Sequence, residues 1–152
     1  PCVPAAVLRQ VAGNLERSGA AMATLCEAIY RPEAFRDPNI VKVVMDEAGT
    51  ALYFSRAPIP WPRDLAIAEG EAALPNPCWR HLGLYAYRVG LLRRFVAWAP
   101  AALERLEALE QLRVLAYGER IHVAEACEAV PGGVDTPEDL ARLQESWVGE
   151  GA

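Results

Sequence analysis

The sequence predicts a single α/β domain built on a mixed β-sheet and spanning residues 1–152. The first observation is that segments with helical spacing of apolar residues alternate along the chain with short β-branched or alternating segments, as in helices packed on a sheet. The second is that two of the strand-like segments are separated only by a short turn, which adds an antiparallel hairpin to the sheet. Of the 152 residues 53% are apolar, so the chain can bury roughly two-thirds of its unfolded surface in a core.

The first half of the chain is predicted to contain a helix, a strand, a single helical turn and the hairpin. Val7, Val11 and Leu15 follow helical spacing, and Gly19 ends that helix. The mostly apolar stretch after it is short enough for a buried strand, and a β-branched run then pairs with the next run across a turn at 46–49. The predicted elements are helix 4–17, strand 22–29, helical turn 32–35, and hairpin strands 40–45 and 50–54.

The second half opens with a segment that is rich in proline, residues 55–79. We expect this segment to be a long loop, and long loops in compact domains are usually functional or lie at interfaces. The pattern of apolar residues then resumes with strands and helices in alternation. The predicted elements are strand 80–87, helix 90–97, helix 101–117 ended by Gly118, strand 121–126, and a last helix from 135 to about 147.

Composition excludes several classes of protein. The formal net charge of −5 argues against a general affinity for nucleic acid or anionic membranes, and the apolar runs are too short to cross a bilayer, so we expect a soluble protein. The four cysteines form no CxxC pair and there are only two histidines, so neither a zinc site nor a disulfide framework is expected. We therefore expect free thiols in a reducing compartment. Because the chain opens with Pro-Cys-Val-Pro, we also expect it to continue a longer protein.

The start of the last predicted helix is the strongest local motif. Asp135 or Thr136 can cap the helix, Pro137 suits its first turn, and two acidic residues after it complement the helix dipole. A well-formed helix start explains the motif without any function. The alternative is that Asp135, in a loop after a buried strand, binds a hard divalent cation such as Mg²⁺, for which a single carboxylate is half a site.

Several segments together resemble one family, the 3-deoxy-manno-octulosonate (Kdo) cytidylyltransferases. They occur in the family's order and spacing, and the similarity extends over nearly the whole chain. The segments are Val-Lys-Val-Val at 41–44, Ala-Leu-Tyr-Phe-Ser-Arg-Ala-Pro-Ile-Pro-Trp at 51–61, Arg-His-Leu-Gly-Leu-Tyr-Ala-Tyr-Arg at 80–88, Leu-Glu-Gln-Leu-Arg at 109–113, and Gly-Val-Asp-Thr-Pro-Glu-Asp-Leu at 133–140.

The resemblance implies a nucleotide-diphospho-sugar transferase-like (Rossmann-like) fold, incomplete at its N-terminus, that works as a homodimer. The implied reaction transfers CMP from CTP to Kdo, with Mg²⁺ as cofactor, and gives CMP-Kdo and pyrophosphate. The resemblance also implies that the product is made in the cytoplasm, for lipopolysaccharide biosynthesis. The family's Arg- and Gly-rich triphosphate loop and its Gln-Gly-Asp-Glu-Pro loop do not occur in this sequence. We therefore expect the 152-residue chain alone to be inactive.

The same resemblance implies a set of site residues. Arg56 would grip the sugar's carboxylate, as a guanidinium can do bidentately. His81, Tyr85, Glu110 and Gln111 would hydrogen-bond the sugar hydroxyls, and Asp135 would be the catalytic metal ligand.

Structural explanations compete with several of these roles. Without the resemblance, His81 would be a buried core residue and Arg56 an exposed arginine paired with a surface carboxylate. His81, Tyr85 and Tyr87 alternate along one strand and should share a face, with Tyr87 in the core. Other residues of interest are expected to be structural: Glu104 and Glu107 as a solvated helix face, Arg113 as support for that helix, and His122 as a packing residue.

Two other functions remain open from the sequence. One is a related cytidylyltransferase for another acid sugar, such as a sialic-acid-like substrate. The other is a non-catalytic truncated fragment that dimerises through the hairpin and the Pro-rich loop. Kdo is favoured over a sialic-acid-like sugar by residues 80–85 and by the Leu-Glu-Gln-Leu-Arg segment.

Overall fold

The structure is a computed structural model that describes residues 3–63, residue 74 and residues 78–130. Within these ranges it contains five helices and five strands. In chain order they are α1 Ala5–Ser18, β1 Met22–Ala28, α2 Pro32–Arg36, β2 Lys42–Met45, β3 Ala51–Ser55, β4 Trp79–Tyr87, α3 Val89–Phe95, α4 Ala102–Glu107, α5 Gln111–Ala116 and β5 Ile121–Glu125. The last predicted helix and most of the second half of the predicted loop lie outside the described residues.

The strands form one mixed sheet in the order β3-β2-β4-β1-β5. Strands β1 and β5 pair in parallel, whereas β1 with β4, β2 with β3, and β2 with β4 are antiparallel. The predicted α/β class, the mixed sheet and the hairpin are therefore confirmed. The turn of the β2–β3 hairpin contains Gly49 at a φ of 75°, a left-handed conformation that glycine adopts without strain.

Alternation along β1 separates two cores on opposite faces of the sheet. Met22 and Cys26 belong to the larger cluster, which is closed by α3 and α5, while Ala23 and Leu25 pack against α1. Successive strand residues point to opposite faces, so the continuous apolar run of β1 feeds both cores. A mostly apolar stretch of this length predicts a strand that is buried on both faces, as β1 is.

A bulge in β4 preserves the face on which its aromatic residues lie. Thr24 pairs with Tyr85, but the next residue of β1, Leu25, pairs with Leu82, so β4 carries two extra residues at this point. Because two is the period of a strand, the faces do not exchange. His81, Tyr85 and Tyr87 therefore share one face, as predicted, with ring centroids 5.3 Å and 5.7 Å apart along the row. The prediction that Tyr87 lies in the core is wrong, because its side chain, at the end of β4, is 39% exposed.

The prediction of one continuous helix over 101–117 is wrong, because α4 ends at Glu107 and is capped by Ala108. Ala108 adopts a left-handed conformation with a φ of 51°, and α5 begins only at Gln111. Alanine has the highest helix propensity, so local sequence favours continuation, and contacts with β3 outweigh it. The carboxylate of Glu107 accepts hydrogen bonds from Ser55 Oγ at 2.6 Å and from the backbone N–H of Arg56 at 3.0 Å.

The predicted solvated face of Glu104 and Glu107 is also wrong. Glu104 is only 8% exposed and pairs with Arg113, with Nε–Oε2 at 2.8 Å and Nη2–Oε1 at 2.5 Å. This pair holds α4 against α5, and the Arg113 guanidinium also lies 4.2 Å from the ring centroid of Phe95. Arg113 thus supports this helical region, as predicted.

In the part of the chain that the structure describes, no helix is both long and apolar enough to cross a membrane.

Candidate functional site

The floor of the candidate site is the aromatic face of β4. The rings of Phe54 and His81 meet edge to face with centroids 4.9 Å apart, and Tyr85 and Tyr87 continue the row. This face belongs to the larger core, against which Tyr85 packs. The strand therefore presents a polar atom on each of three rings along a wall that is otherwise apolar.

His81 is held by a buried hydroxyl on the neighbouring strand. Its Nε2 lies 2.9 Å from Oγ1 of Thr24, and the same hydroxyl lies 2.8 Å from the Leu84 carbonyl and 3.1 Å from that of Leu82. A hydroxyl has one proton, and only its donation satisfies a carbonyl. Thr24 therefore donates to a carbonyl and accepts from His81 Nε2–H, which we assign as the protonated nitrogen.

This tautomer leaves His81 Nδ1 as a hydrogen-bond acceptor. Burial lowers the pKa of His81 to about 4, so the imidazole is neutral near pH 7. A neutral ring with a fixed tautomer can accept a hydrogen bond from a ligand hydroxyl only at Nδ1. The structure therefore gives a half-buried histidine a binding capacity that a freely rotating one would lack.

A pocket of about 90 Å³ brings Tyr85 together with Glu110 and Gln111. Glu110 is exposed at the start of α5, whereas Gln111 is only 6% exposed. Burial raises the pKa of Tyr85, with smaller contributions from Tyr87 and Glu110, so its phenol stays protonated and can donate. The remaining lining residues are mostly apolar: Met22, Tyr87, Leu91, Leu92, Phe95 and Val114.

Arg56 lies at the end of β3 and does not line this pocket. Its Nε donates to the Glu107 carbonyl at 2.7 Å and its Nη1 to the Pro38 carbonyl at 2.9 Å. These bonds orient the half-buried guanidinium and use part of its donor fork. A role for Arg56 in holding a carboxylate stays a prediction, as do the sugar contacts of His81, Tyr85, Glu110 and Gln111.

Two residues with structural importance near the site were not singled out from the sequence. Lys42 is fully buried, and its Nζ donates to the carbonyls of Asp37, Ile40 and Arg56 at 2.8, 2.5 and 2.6 Å. It thereby ties the loop before β2 to the segment that carries Arg56. The sequence feature that could have identified Lys42 is a single charge inside a β-branched run, which is unusual for a strand buried in a core.

Thr24 is the second residue that was not singled out, and the only sign of it in the sequence was a hydroxyl in an otherwise apolar strand.

Glu107 was predicted to lie on a solvated helix face, but its carboxylate organises the end of β3. Burial alone would raise the pKa of Glu107, but the hydrogen bonds from Ser55 and from the Arg56 N–H lower it overall, so its carboxylate stays charged.

Asp135 lies outside the described residues. Within the ranges 3–63 and 78–130, no group of three or more His, Cys, Asp or Glu side chains is arranged to hold a metal ion. His122, expected to be structural, lines a different pocket from the one at Tyr85.

The structure is an α/β domain that carries this pocket beside its sheet. Few polar groups converge on a mostly apolar pocket beside the sheet, an arrangement suited to a ligand with several hydroxyl groups.

Comparison with known proteins identifies the family. The family model described as Cytidylyltransferase matches residues 1–121, and the chain belongs to this family. A 3-deoxy-manno-octulosonate cytidylyltransferase of Cellvibrio japonicus is 59% identical over 147 residues, which is 95% of this chain and 58% of that protein. The enzyme of the same name from Alcanivorax borkumensis is 55% identical over 152 residues, covering 99% of this chain and 60% of the relative.

A solved structure agrees with the sequence comparisons. The structure of CMP:2-keto-3-deoxy-manno-octonic acid synthetase complexed with CTP matches with a TM-score of 0.77 and 35% identity, over 95% of this chain and 54% of the other. The resemblance drawn from the sequence motifs and the nucleotidyltransferase-type fold are thereby confirmed. The chain spans about 58% of the length of the first curated relative.

Proposed function

We propose that this chain is the sugar-binding part of a 3-deoxy-manno-octulosonate cytidylyltransferase, which transfers CMP from CTP to Kdo for lipopolysaccharide biosynthesis. The observation that carries the proposal is the convergence of Tyr85, Glu110 and Gln111 on one pocket, next to a histidine with a fixed tautomer. These are the residues expected to bind the sugar, and they come from two elements that are distant in sequence.

The pocket offers complementary hydrogen-bonding groups to a polyol. Glu110 accepts, Gln111 can both donate and accept, and the Tyr85 phenol does the same. His81 does not line the pocket, but its ring lies beside that of Tyr85 and its Nδ1 adds an acceptor there. Sugar hydroxyls can satisfy all of these groups, while the apolar wall of α3 and β4 packs against the carbon skeleton. A ligand lacking hydroxyls would leave several partly buried polar groups unpaired, which costs about 1–3 kcal/mol for each group.

In the proposed reaction, the anomeric hydroxyl of Kdo attacks the α-phosphate of CTP. A new phosphorus–oxygen bond forms, the bond to the β-phosphate breaks, and the products are CMP-Kdo, pyrophosphate and a proton. The described residues would bind and orient the sugar, so that its hydroxyl is held in line with the phosphate. They would not activate CTP, which is why the isolated chain is expected to bind sugar without turnover.

We also propose Mg²⁺ as cofactor, with Asp135 as one carboxylate ligand. The ion would supply charge neutralisation at the phosphates. The described residues contain no cluster of ligands that fits the ion.

The proposed assembly is a homodimer in the cytoplasm. Exposed apolar side chains on α3, just after it and on α4 support self-association, since Val89 is 64%, Val96 82% and Leu106 81% exposed. The exposed, unbridged thiol of Cys127 supports a reducing compartment.

A chimeric enzyme tests the proposed activity. The part of the Cellvibrio japonicus relative that lies outside the matched region would be joined to this chain, and CMP-Kdo formation from CTP and Kdo would be measured. We expect turnover by the chimera, a loss of at least about a hundredfold in Gln111→Leu through lost positioning, and normal turnover in the exposed control Arg93→Gln. A folded chimera that is inactive with Kdo but active with a sialic acid would contradict the sugar assignment.

A further inference from the structure

A second pocket lies on the opposite face of the sheet from the candidate sugar site. It has a volume of about 300 Å³ and is bounded by the end of α1, the turn of the β2–β3 hairpin and the start of β5. His122 alternates with Ile121 and Val123, which face the larger core, so its side chain lies on the side of α1. The two pockets share no lining residue: this one is lined by Asn14, Arg17, Ser18, Ala20, Ala48, Thr50, Arg120 and His122.

Asn14 brings an unpaired donor to this pocket. The residue is 8% exposed, and its Oδ1 accepts a hydrogen bond from Arg17 Nη2 at 2.8 Å. A guanidinium only donates, so this contact fixes which end of the amide is the oxygen. The buried Nδ2 then has no hydrogen-bond partner among the described residues. An unsatisfied buried amide costs about 1–3 kcal/mol, which a ligand atom can offset.

His122 brings a second unpaired atom from the other wall. Its buried Nδ1 also has no partner in the described part of the chain. The hairpin turn lies directly against this strand, since Val123 N donates to the Gly49 carbonyl at 2.7 Å and Thr50 bridges to His122. A side chain at Gly49 would place its Cβ 2.9 Å from the Val123 carbonyl, so this wall is closely packed.

The charge around the two unpaired atoms is positive. Arg17 and Arg120 both line the pocket and are exposed, and none of the lining residues is acidic. The nearby carboxylate of Asp46 is used within the hairpin turn, where Oδ1 accepts from the N–H groups of Ala48 and Thr50. Burial and, secondarily, Arg17 lower the pKa of His122, so the ring is neutral near pH 7 and can donate from Nδ1.

We propose that this pocket binds a phosphate-type oxyanion through Asn14 Nδ2, His122 Nδ1 and the guanidinium groups of Arg17 and Arg120. Such an anion supplies several acceptor oxygens and negative charge, which match two buried donors and two cations. The ligand is inorganic phosphate or the phosphoryl groups of pyrophosphate, which share this chemistry. The site is separate from the sugar pocket and does not depend on the proposed function.

Histidine-selective NMR tests the site directly, because the chain has only two histidines. Inorganic phosphate, and separately pyrophosphate, would be titrated into ¹⁵N-histidine-labelled protein at constant ionic strength above pH 7.5. We expect saturable shifts of the His122 imidazole and none at His81. Arg17→Gln should weaken binding roughly tenfold, the loss of one charge-assisted contact, while Arg93→Gln, on α3, should leave it unchanged.

Two further variants keep the test decisive. Arg120→Gln changes an exposed side chain, so weaker binding in this variant cannot come from misfolding. Asn14→Leu removes the unpaired donor and should abolish binding without loss of thermal stability. Tighter binding of pyrophosphate than of phosphate would assign a diphosphate group, and equal binding a single phosphate. A His122 signal that does not saturate, or that responds in both Arg17→Gln and Arg120→Gln as it does in the wild type, would overturn the proposal.

Discussion

The hydroxyl of Thr24 should determine how well His81 binds sugar, and Thr24→Val tests this with little change of shape. The hydroxyl is fully buried and contacts His81 Nε2 and two backbone carbonyls at 2.8–3.1 Å. Valine removes the acceptor for His81 Nε2–H and the donor to the carbonyls. With one or two buried groups left unpaired, the free energy of unfolding should fall by about 2–3 kcal/mol.

The effect on binding is distinct from the effect on stability. Without Thr24 the imidazole is free to present either nitrogen as donor, so the fixed acceptor at Nδ1 is lost. We expect Kdo to bind roughly tenfold more weakly to the folded variant, which corresponds to about 1.4 kcal/mol. Calorimetric titration with Kdo gives the affinity, and urea unfolding gives the stability of the same samples.

Thr24→Ser is the matched control, because it keeps the hydroxyl and removes only a methyl group. It should lose about 1 kcal/mol of stability from the small cavity and bind Kdo as the wild type does. If Thr24→Val binds Kdo with wild-type affinity while folded, His81 does not depend on this hydroxyl and the assigned tautomer is wrong.

Three further changes test the packing around the site. Lys42→Met should lower the free energy of unfolding by about 3 kcal/mol or more, because three carbonyl groups lose their donor; an unchanged urea midpoint would show that this lysine is dispensable. Glu104→Gln should cost about 2 kcal/mol by weakening the bidentate pair with Arg113, whereas Arg105→Gln, with an exposed side chain, should have little effect. His81 is neutral when folded, with its pKa lowered to about 4 from 6.5, so stability should be full above pH 6.5 and fall by up to about 3 kcal/mol as the pH drops towards 4; His81→Gln should remove that part of the pH dependence measured by urea unfolding.

The regular elements were predictable because they depend on local patterns. Periodic apolar residues were sufficient to predict α1, a short and mostly apolar stretch was sufficient for β1, and two β-branched runs around a glycine turn were sufficient for the hairpin. The break between α4 and α5 was not predictable in this way. It depends on Ala108 adopting a left-handed conformation, which is favoured by contacts between Glu107 and β3, more than 50 residues away in sequence.

The site was predictable only in part, for a similar reason. Sequence motifs selected His81, Tyr85, Glu110 and Gln111, and the structure places three of them at one pocket with His81 beside Tyr85. The dependence of His81 on Thr24 is a contact across 57 residues, and a lone threonine in an apolar strand gives no sign of it. For Lys42, the sequence offered only a single charge inside the predicted strand 40–45. Its three carbonyl partners could be known only from the folded loops.

Calorimetric binding of Kdo to this 152-residue chain tests the central claim most directly. We expect saturable binding with one site. Binding should be retained in Arg93→Gln and lost in His81→Ala. Arg56→Ala tests separately whether the carboxylate of the sugar is held at the end of β3. Addition of CTP should not be required for binding. If the folded chain does not bind Kdo, or if His81→Ala binds it as tightly as the wild type, the pocket at Tyr85 is not the sugar site.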